Sequence, residues 1–83
     1  MTCEEIRRLI ETGIPGARAE VDGDGTHFTA TVVSDGFAGK SMLQQHRIVY
    51  QALGQKMGRE IHALSLRTLS PDEWDRHREL DPT

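Results

Sequence analysis

Four histidines (His27, His46, His62 and His77) and one cysteine (Cys3) are the side chains of this sequence best suited to holding a metal. Imidazole ligates metals and also carries protons, so the neighbours of each histidine decide its role. His62 stands in the stretch Glu60–Thr68, which alternates with period two. His62, Leu64 and Leu66 face one way and Ile61, Ala63 and Ser65 the other, the mark of a half-buried strand. A histidine in line with two leucines is more often a structural residue than a ligand, and this pattern alone favours the structural reading. The four histidines form no helix-borne motif of the H-E-x-x-H kind. No nucleophile, base and orienter stand together either, and Ser65 falls on the strand face opposite His62, so an enzyme is not expected. Cys3 lies in the first turn of a helix, where the dipole favours a thiolate. With no second cysteine or histidine near it in sequence, the inert reading is preferred.

The elements that must position these groups are legible in order. Thr2 and Glu5 have capping-box spacing, Ile6, Leu9 and Ile10 follow at helical spacing, and Gly13 and Pro15 end the helix. Ala17–Asp22 reads as a strand and Asp22-Gly23-Asp24-Gly25 as a hairpin turn. This loop lacks the spacing and terminal glutamate of an EF-hand. In the next strand, His27–Val33, Phe28, Ala30 and Val32 face the core, while His27 falls on the outward parity at the mouth of the hairpin. A loop, Ser34–Lys40, opens onto a helical segment spanning Ser41–Met57, with Gly54 and Gly58 breaking or ending it. Its apolar stripe of Met42, Leu43, Val49, Tyr50, Leu53 and Met57 covers roughly a third of the circumference. His46 falls inside that stripe, so it is expected to be a structural, hydrogen-bonded residue. Ser70-Pro71-Asp72-Glu73 is a helix start, Trp74 is expected to pack back on the sheet, and Leu80–Thr83 reads as a frayed tail. Strand, helix, strand implies a right-handed parallel crossover. The expected fold is α+β, α-β-β-α-β-α around a three-stranded mixed sheet, in one domain covering 1–83.

Composition narrows the function classes. Eighty-three residues make a core near the lower size limit, and one cysteine permits neither an internal disulfide nor a four-cysteine metal site. No apolar run approaches the roughly 20 residues of a membrane helix, and the acidic N-terminus lacks a signal-peptide core. A cytoplasmic setting without membrane contact is expected. The net charge of −3 conceals an asymmetry. Residues 1–35 are acidic, whereas 36–68 carry Lys40, Arg47, Lys56, Arg59 and Arg67 against Glu60 alone. Mild positive potential gathers there, enough to meet an anionic partner but short of a nucleic-acid stripe.

Gly25-Thr26-His27-Phe28, Val33-Ser34, Phe37-Ala38-Gly39-Lys40, His46-Arg47-Ile48-Val49-Tyr50, Ile61-His62-Ala63-Leu64-Ser65 and Ser70-Pro71-Asp72-Glu73-Trp74 together resemble the BolA family. The short Asp22–Gly25 loop is similar to that of its small, bacterial IbaG-like branch. The resemblance implies a fold similar to type II KH domains. It also implies pairing with monothiol glutaredoxins of the CGFS type around a bridging 2Fe-2S cluster, with glutathione and with no cluster in the isolated chain. His62 matches the family's recurrent ligand. The second ligand is usually a cysteine or histidine in or beside the first hairpin loop, where this sequence has Asp24 and then His27. That ligand stays open here, as does whether the free chain forms a homodimer. The chemistry agrees, since clusters are normally held by thiolates and this chain has one. A histidine ligand also makes binding sensitive to protonation.

A KH-like nucleic-acid-binding transcriptional regulator is the competing class. Gly36-Phe37-Ala38-Gly39 matches a GXXG clamp, with Lys40 beside it and Arg47 as a further phosphate contact. The pattern fixes two positions in a chain with eight glycines, and those glycines can equally serve a tight turn. A pI near 5.7 and a total of one Trp, one Tyr and two Phe also speak against base stacking. Under the partner reading, Gly36, Gly39, Lys40 and Arg47 are expected to face the glutaredoxin.

Overall fold

A computed structural model describes residues 1–80, with side chains through Arg76; the His77 side chain and the tail after Leu80 lie outside the described residues. Helix α1 (Cys3–Gly13) starts at Thr2, whose side chain accepts from the Glu5 N–H at 3.2 Å, and buries Ile6 and Ile10. Strand β1 (Arg18–Gly23) pairs antiparallel with β2 (His27–Val33). Helix α2 (Met42–Leu53) leads to β3 (Ala63–Leu69), which runs parallel to β2, and α3 (Pro71–Leu80) follows. The sheet order is β1-β2-β3. The chain is therefore the α+β, three-stranded mixed-sheet fold expected of it.

The core lies between the sheet and the pair α1 and α2. Phe28, Ala30 and Val32 of β2 meet Ile6 and Ile10 of α1 and Val49 and Leu53 of α2 there, all essentially inaccessible. Gly13 does more than end α1: a Cβ on it would stand 2.9 Å from the Cβ of Ala52, so a side chain would push the two helices apart. Glu11 joins α1 to the sheet, accepting from the Ala19 N–H at 3.0 Å while paired with Arg7 at 3.0 Å.

One expectation holds and one changes. The helical segment read over Ser41–Met57 is broken at Gly54, as expected. Helix α2 stops at Leu53 because Gly54 takes a positive φ of 59°, and a single 3-10 turn, Gly54–Lys56, follows. Its buried face is rotated from the expected one. Gln45, Val49 and Leu53 point inward, His46 is half-exposed, and Met42, Leu43 and Tyr50 are exposed. The stripe plotted from the sequence straddles two faces, and packing against α1 and β3 selects the one centred on Val49.

Gln45, not His46, is thus the buried polar residue of α2. Its Nε2 donates to the carbonyls of Phe37 and Lys40, both at 3.0 Å, and its Oε1 accepts from Thr68 Oγ1 at 2.6 Å. Gln45→Ala strips partners from two carbonyls and a buried hydroxyl, and is expected to cost about 1–3 kcal/mol. His46→Ala is expected to stay within about 0.5 kcal/mol, as for a surface site. Urea melts of the two variants check this; a larger loss for His46→Ala would restore the face expected from the sequence.

Candidate functional site

His62 is one residue short of the sheet. The expected strand Glu60–Thr68 begins instead at Ala63 and ends at Leu69. The preceding residues fold into a turn: the Ile61 N–H donates to the Lys56 carbonyl at 3.0 Å, and the Gly58 N–H donates to the Ile61 carbonyl at 2.9 Å. Ile61 is fully buried, against the parity expected of it, because this turn and its bridge to Met57 re-aim it into the core. Leu64 and Leu66 do face the core as expected, with Thr68 after them. His62 itself is exposed, between the buried Ile61 and the first paired residue, Ala63. Its backbone is fixed on both sides while its imidazole meets solvent.

The parallel register brings a second histidine to the same end of the sheet. His27 opens β2 and is the Cα partner of Ala63, so His27 and His62 sit at one end of adjacent strands. His27 is exposed, as its parity required. The hairpin beside it is held by Asp24, whose Oδ1 accepts from the backbone N–H groups of His27 and Thr26, both at 2.9 Å. Those two bonds, the His27 one foremost, hold the Asp24 carboxyl below the usual carboxylate range. A lowered folded-state pKa means that the turn has this support at neutral pH and loses it as the pH falls through the lowered value. Asp24 is thereby a turn-forming residue whose Oδ1 is already engaged. Gly23 is equally constrained, since a Cβ there would come within 2.4 Å of the His27 carbonyl oxygen.

Cys3 also reaches this end, which its sequence position gave no reason to expect. Its Sγ lies 4.0 Å from the Gly23 carbonyl oxygen, across from the hairpin. Even so, among the described residues no three His, Cys, Asp or Glu side chains come together as a metal site. The arrangement is an open edge carrying imidazoles, suited to supplying one or two ligands to a centre completed by another molecule.

The Gly36–Lys40 loop is elsewhere. It follows Val33, which pairs with Leu69 at the far end of the sheet. His27 opens the seven residues of β2 and the loop follows their last, about 20 Å away at strand rise. Phe37 is buried and anchors the loop, Ser34 Oγ accepts from the Gly36 N–H at 3.1 Å, and Lys40 Nζ donates to the Gly36 carbonyl at 2.7 Å. Gly36, Gly39, Lys40 and Arg47 are exposed. The residues expected to meet one partner are therefore divided between two ends of the molecule.

A model of the BolA-like protein family matches residues 12–73, three quarters of the chain. The chain belongs to the BolA family. Human BolA-like protein 1 is 41% identical to it over 66 residues, 80% of this chain and 48% of that protein. The DNA-binding transcriptional regulator BolA of Escherichia coli is 38% identical over 53 residues, 64% of this chain and 50% of that one. The chain thus spans about half the length of these curated relatives. A solved BolA homologue from Coxiella burnetii superposes with a TM-score of 0.85 at 47% identity, covering 92% of this chain and 99% of the other. The BolA match includes Asp24, His27, the Gly36–Lys40 loop and His62, but not Cys3. Among the described residues no helix is long and apolar enough to cross a membrane.

Proposed function

We propose that this BolA-family chain is an iron–sulfur cluster adaptor that joins a CGFS monothiol glutaredoxin around a bridging 2Fe-2S cluster, with glutathione completing the thiolates. The observation that carries the reading is the placement of His62, solvent-facing on a backbone fixed by Ile61 and Ala63, with His27 on the neighbouring strand end. Rigid support is what a ligand needs if it is to meet a centre presented by another protein. His62 is the first ligand and His27 the second, because Asp24 is committed to the turn. The chain contributes position and imidazole nitrogen, and the partner contributes sulfur. A reducing cytoplasm, where Cys3 stays a thiol, is the setting of this function, and the chain has no catalytic role in it.

The test is to combine the chain with a CGFS glutaredoxin, ferrous iron, sulfide and glutathione without oxygen. A heteromer whose native mass includes one 2Fe-2S cluster, with a visible spectrum unlike that of the glutaredoxin alone, is the expected result. If the glutaredoxin keeps its own cluster and the chain elutes separately, the reading is lost.

The E. coli relative's name favours a second reading, DNA binding through the Gly36–Lys40 loop. Gly36, Gly39 and Lys40 of that loop are exposed, but the chain's acidic balance weakens it. Salt-dependent binding to duplex DNA, lost on replacing Lys40 and Arg47 by glutamate, would establish it.

A further inference from the structure

The face of α2 that the core leaves uncovered is apolar. Met42 is 70% exposed, Leu43 63% and Tyr50 40%, and these are the exposed large hydrophobic residues among those described. Leu43, His46, Arg47 and Tyr50 recur at i, i+3, i+4 and i+7, so they share one side of the helix, and Met42 adjoins them in the first turn. Met42 also borders a shallow groove of about 470 Å³ lined by Ala38, Gly39 and Lys40. The surface is built rather than frayed. Ser41 Oγ accepts from the Gln44 N–H at 3.2 Å, Gln44 Oε1 accepts from the Ser41 N–H at 3.0 Å, and Gln45 fixes the loop behind them. Clustered apolar exposure on a rigid element marks an interaction surface more often than chance.

Charge decides what covers it. Residues 36–59 hold Lys40, Arg47, Lys56 and Arg59 and no carboxylate. Asp72 and Glu73 line the groove from α3, together with Arg76, whereas the charged side chains adjoining Met42 and Leu43 along the chain are Lys40 and Arg47. A second copy related by a two-fold axis would lay this face on itself, with Arg47 and Lys40 meeting their own kind and nothing on the segment to neutralise them. A second copy offering α1 would make a head-to-tail contact, which builds rings or filaments rather than a dimer, and α1 sets Arg7 and Arg8 among its glutamates. Nucleic acid would use the cations but leave Met42 and Leu43 without a counterpart.

We propose that the Met42–Leu43–Tyr50 face of α2 docks a segment of a different protein, one that presents apolar side chains inside a rim of carboxylates. Met42 and Leu43 lie at the loop end of the sheet, away from the two histidines, so this segment and a partner at the histidine end can be held together. The proposal does not rest on the cluster reading, because it uses none of the histidine end.

The experiment is a titration of the 15N-labelled full chain with a roughly 14-residue helical peptide. The peptide carries leucine at i, i+3, i+4 and i+7 and glutamate elsewhere. Amide shifts confined to residues 38–50, with those of His27 and His62 unmoved, are expected. Binding is expected to weaken about tenfold or more in Met42→Ala/Leu43→Ala, in Arg47→Glu, and on exchanging the peptide's glutamates for lysines. The substituted side chains are exposed, so the variants keep the fold, which the same spectra verify. No shifts at about 1 mM peptide, equal binding of the lysine peptide, tighter binding of a twelve-base oligothymidine at these residues, or a homodimer dissolved by Met42→Ala/Leu43→Ala would each overturn the proposal.

Discussion

His62→Ala is expected to fold like the parent and to lose the histidine signature of the proposed heteromeric cluster. The side chain is exposed and stands outside the β3 ladder, so its removal opens no cavity and unfolding should move by no more than about 0.5 kcal/mol. The consequence for the cluster is larger. Loss of even an outer-shell group commonly costs 10–100-fold in metal affinity, so loss of a ligand should shorten the cluster's lifetime by about tenfold or more. The visible circular dichroism of the complex should change with it. His27→Ala should give an equal or smaller effect, and Cys3→Ser none, although the fold brings Cys3 beside the hairpin. Acidification should weaken the parent complex, since a protonated imidazole cannot coordinate. A His62→Ala complex with an unchanged visible spectrum and lifetime would remove this residue from the site.

Phe37→Ala should give the largest loss of stability, about 3–5 kcal/mol. Among the described residues Phe37 is the bulkiest fully buried side chain, 1% exposed, and it ends a short 3-10 turn, Asp35–Phe37, in the connection between β2 and α2. Its carbonyl accepts from Gln45 Nε2 and from the Lys40 N–H, so a cavity beneath it also loosens the bonds that seat α2. For a domain of this size the melting temperature should fall by about 12 °C or more. At a temperature where the variant is folded, glutaredoxin pairing should survive, because the histidine end is about 20 Å away along β2. Thermal melts followed by circular dichroism give the first result and native mass the second. A fall of only a few degrees would mean that the loop is anchored by its hydrogen bonds alone. Loss of pairing in the folded variant would tie the two ends together.

The order of helices and strands was readable from the sequence because each rests on local rules. Thr2 and Ser70 cap, the 28–32 alternation gives one apolar face, and Gly54 stops a helix through its own backbone freedom. The outward aim of His27 came from the same parity. The rotation of α2 did not, since a helical plot of Met42, Leu43, Val49 and Tyr50 offers two apolar faces. Only the contact with α1 and β3 buries the one carrying Gln45, Val49 and Leu53, leaving Met42, Leu43 and Tyr50 in solvent.

Distances between sites were equally out of reach of the sequence. That His27 and His62, thirty-five positions apart, share one strand end follows from the register of a parallel crossover, which no local pattern encodes. Cys3 reaches Gly23 because α1 packs back along β1, and the glycine loop stands apart because β2 lies between it and the histidines. Residue types and periodicity, being local, determined which side chains are available and which face each takes within β2, but not the aim of Ile61 in the turn before β3. Which of them meet is a property of packing and register, and the tertiary structure alone decided it.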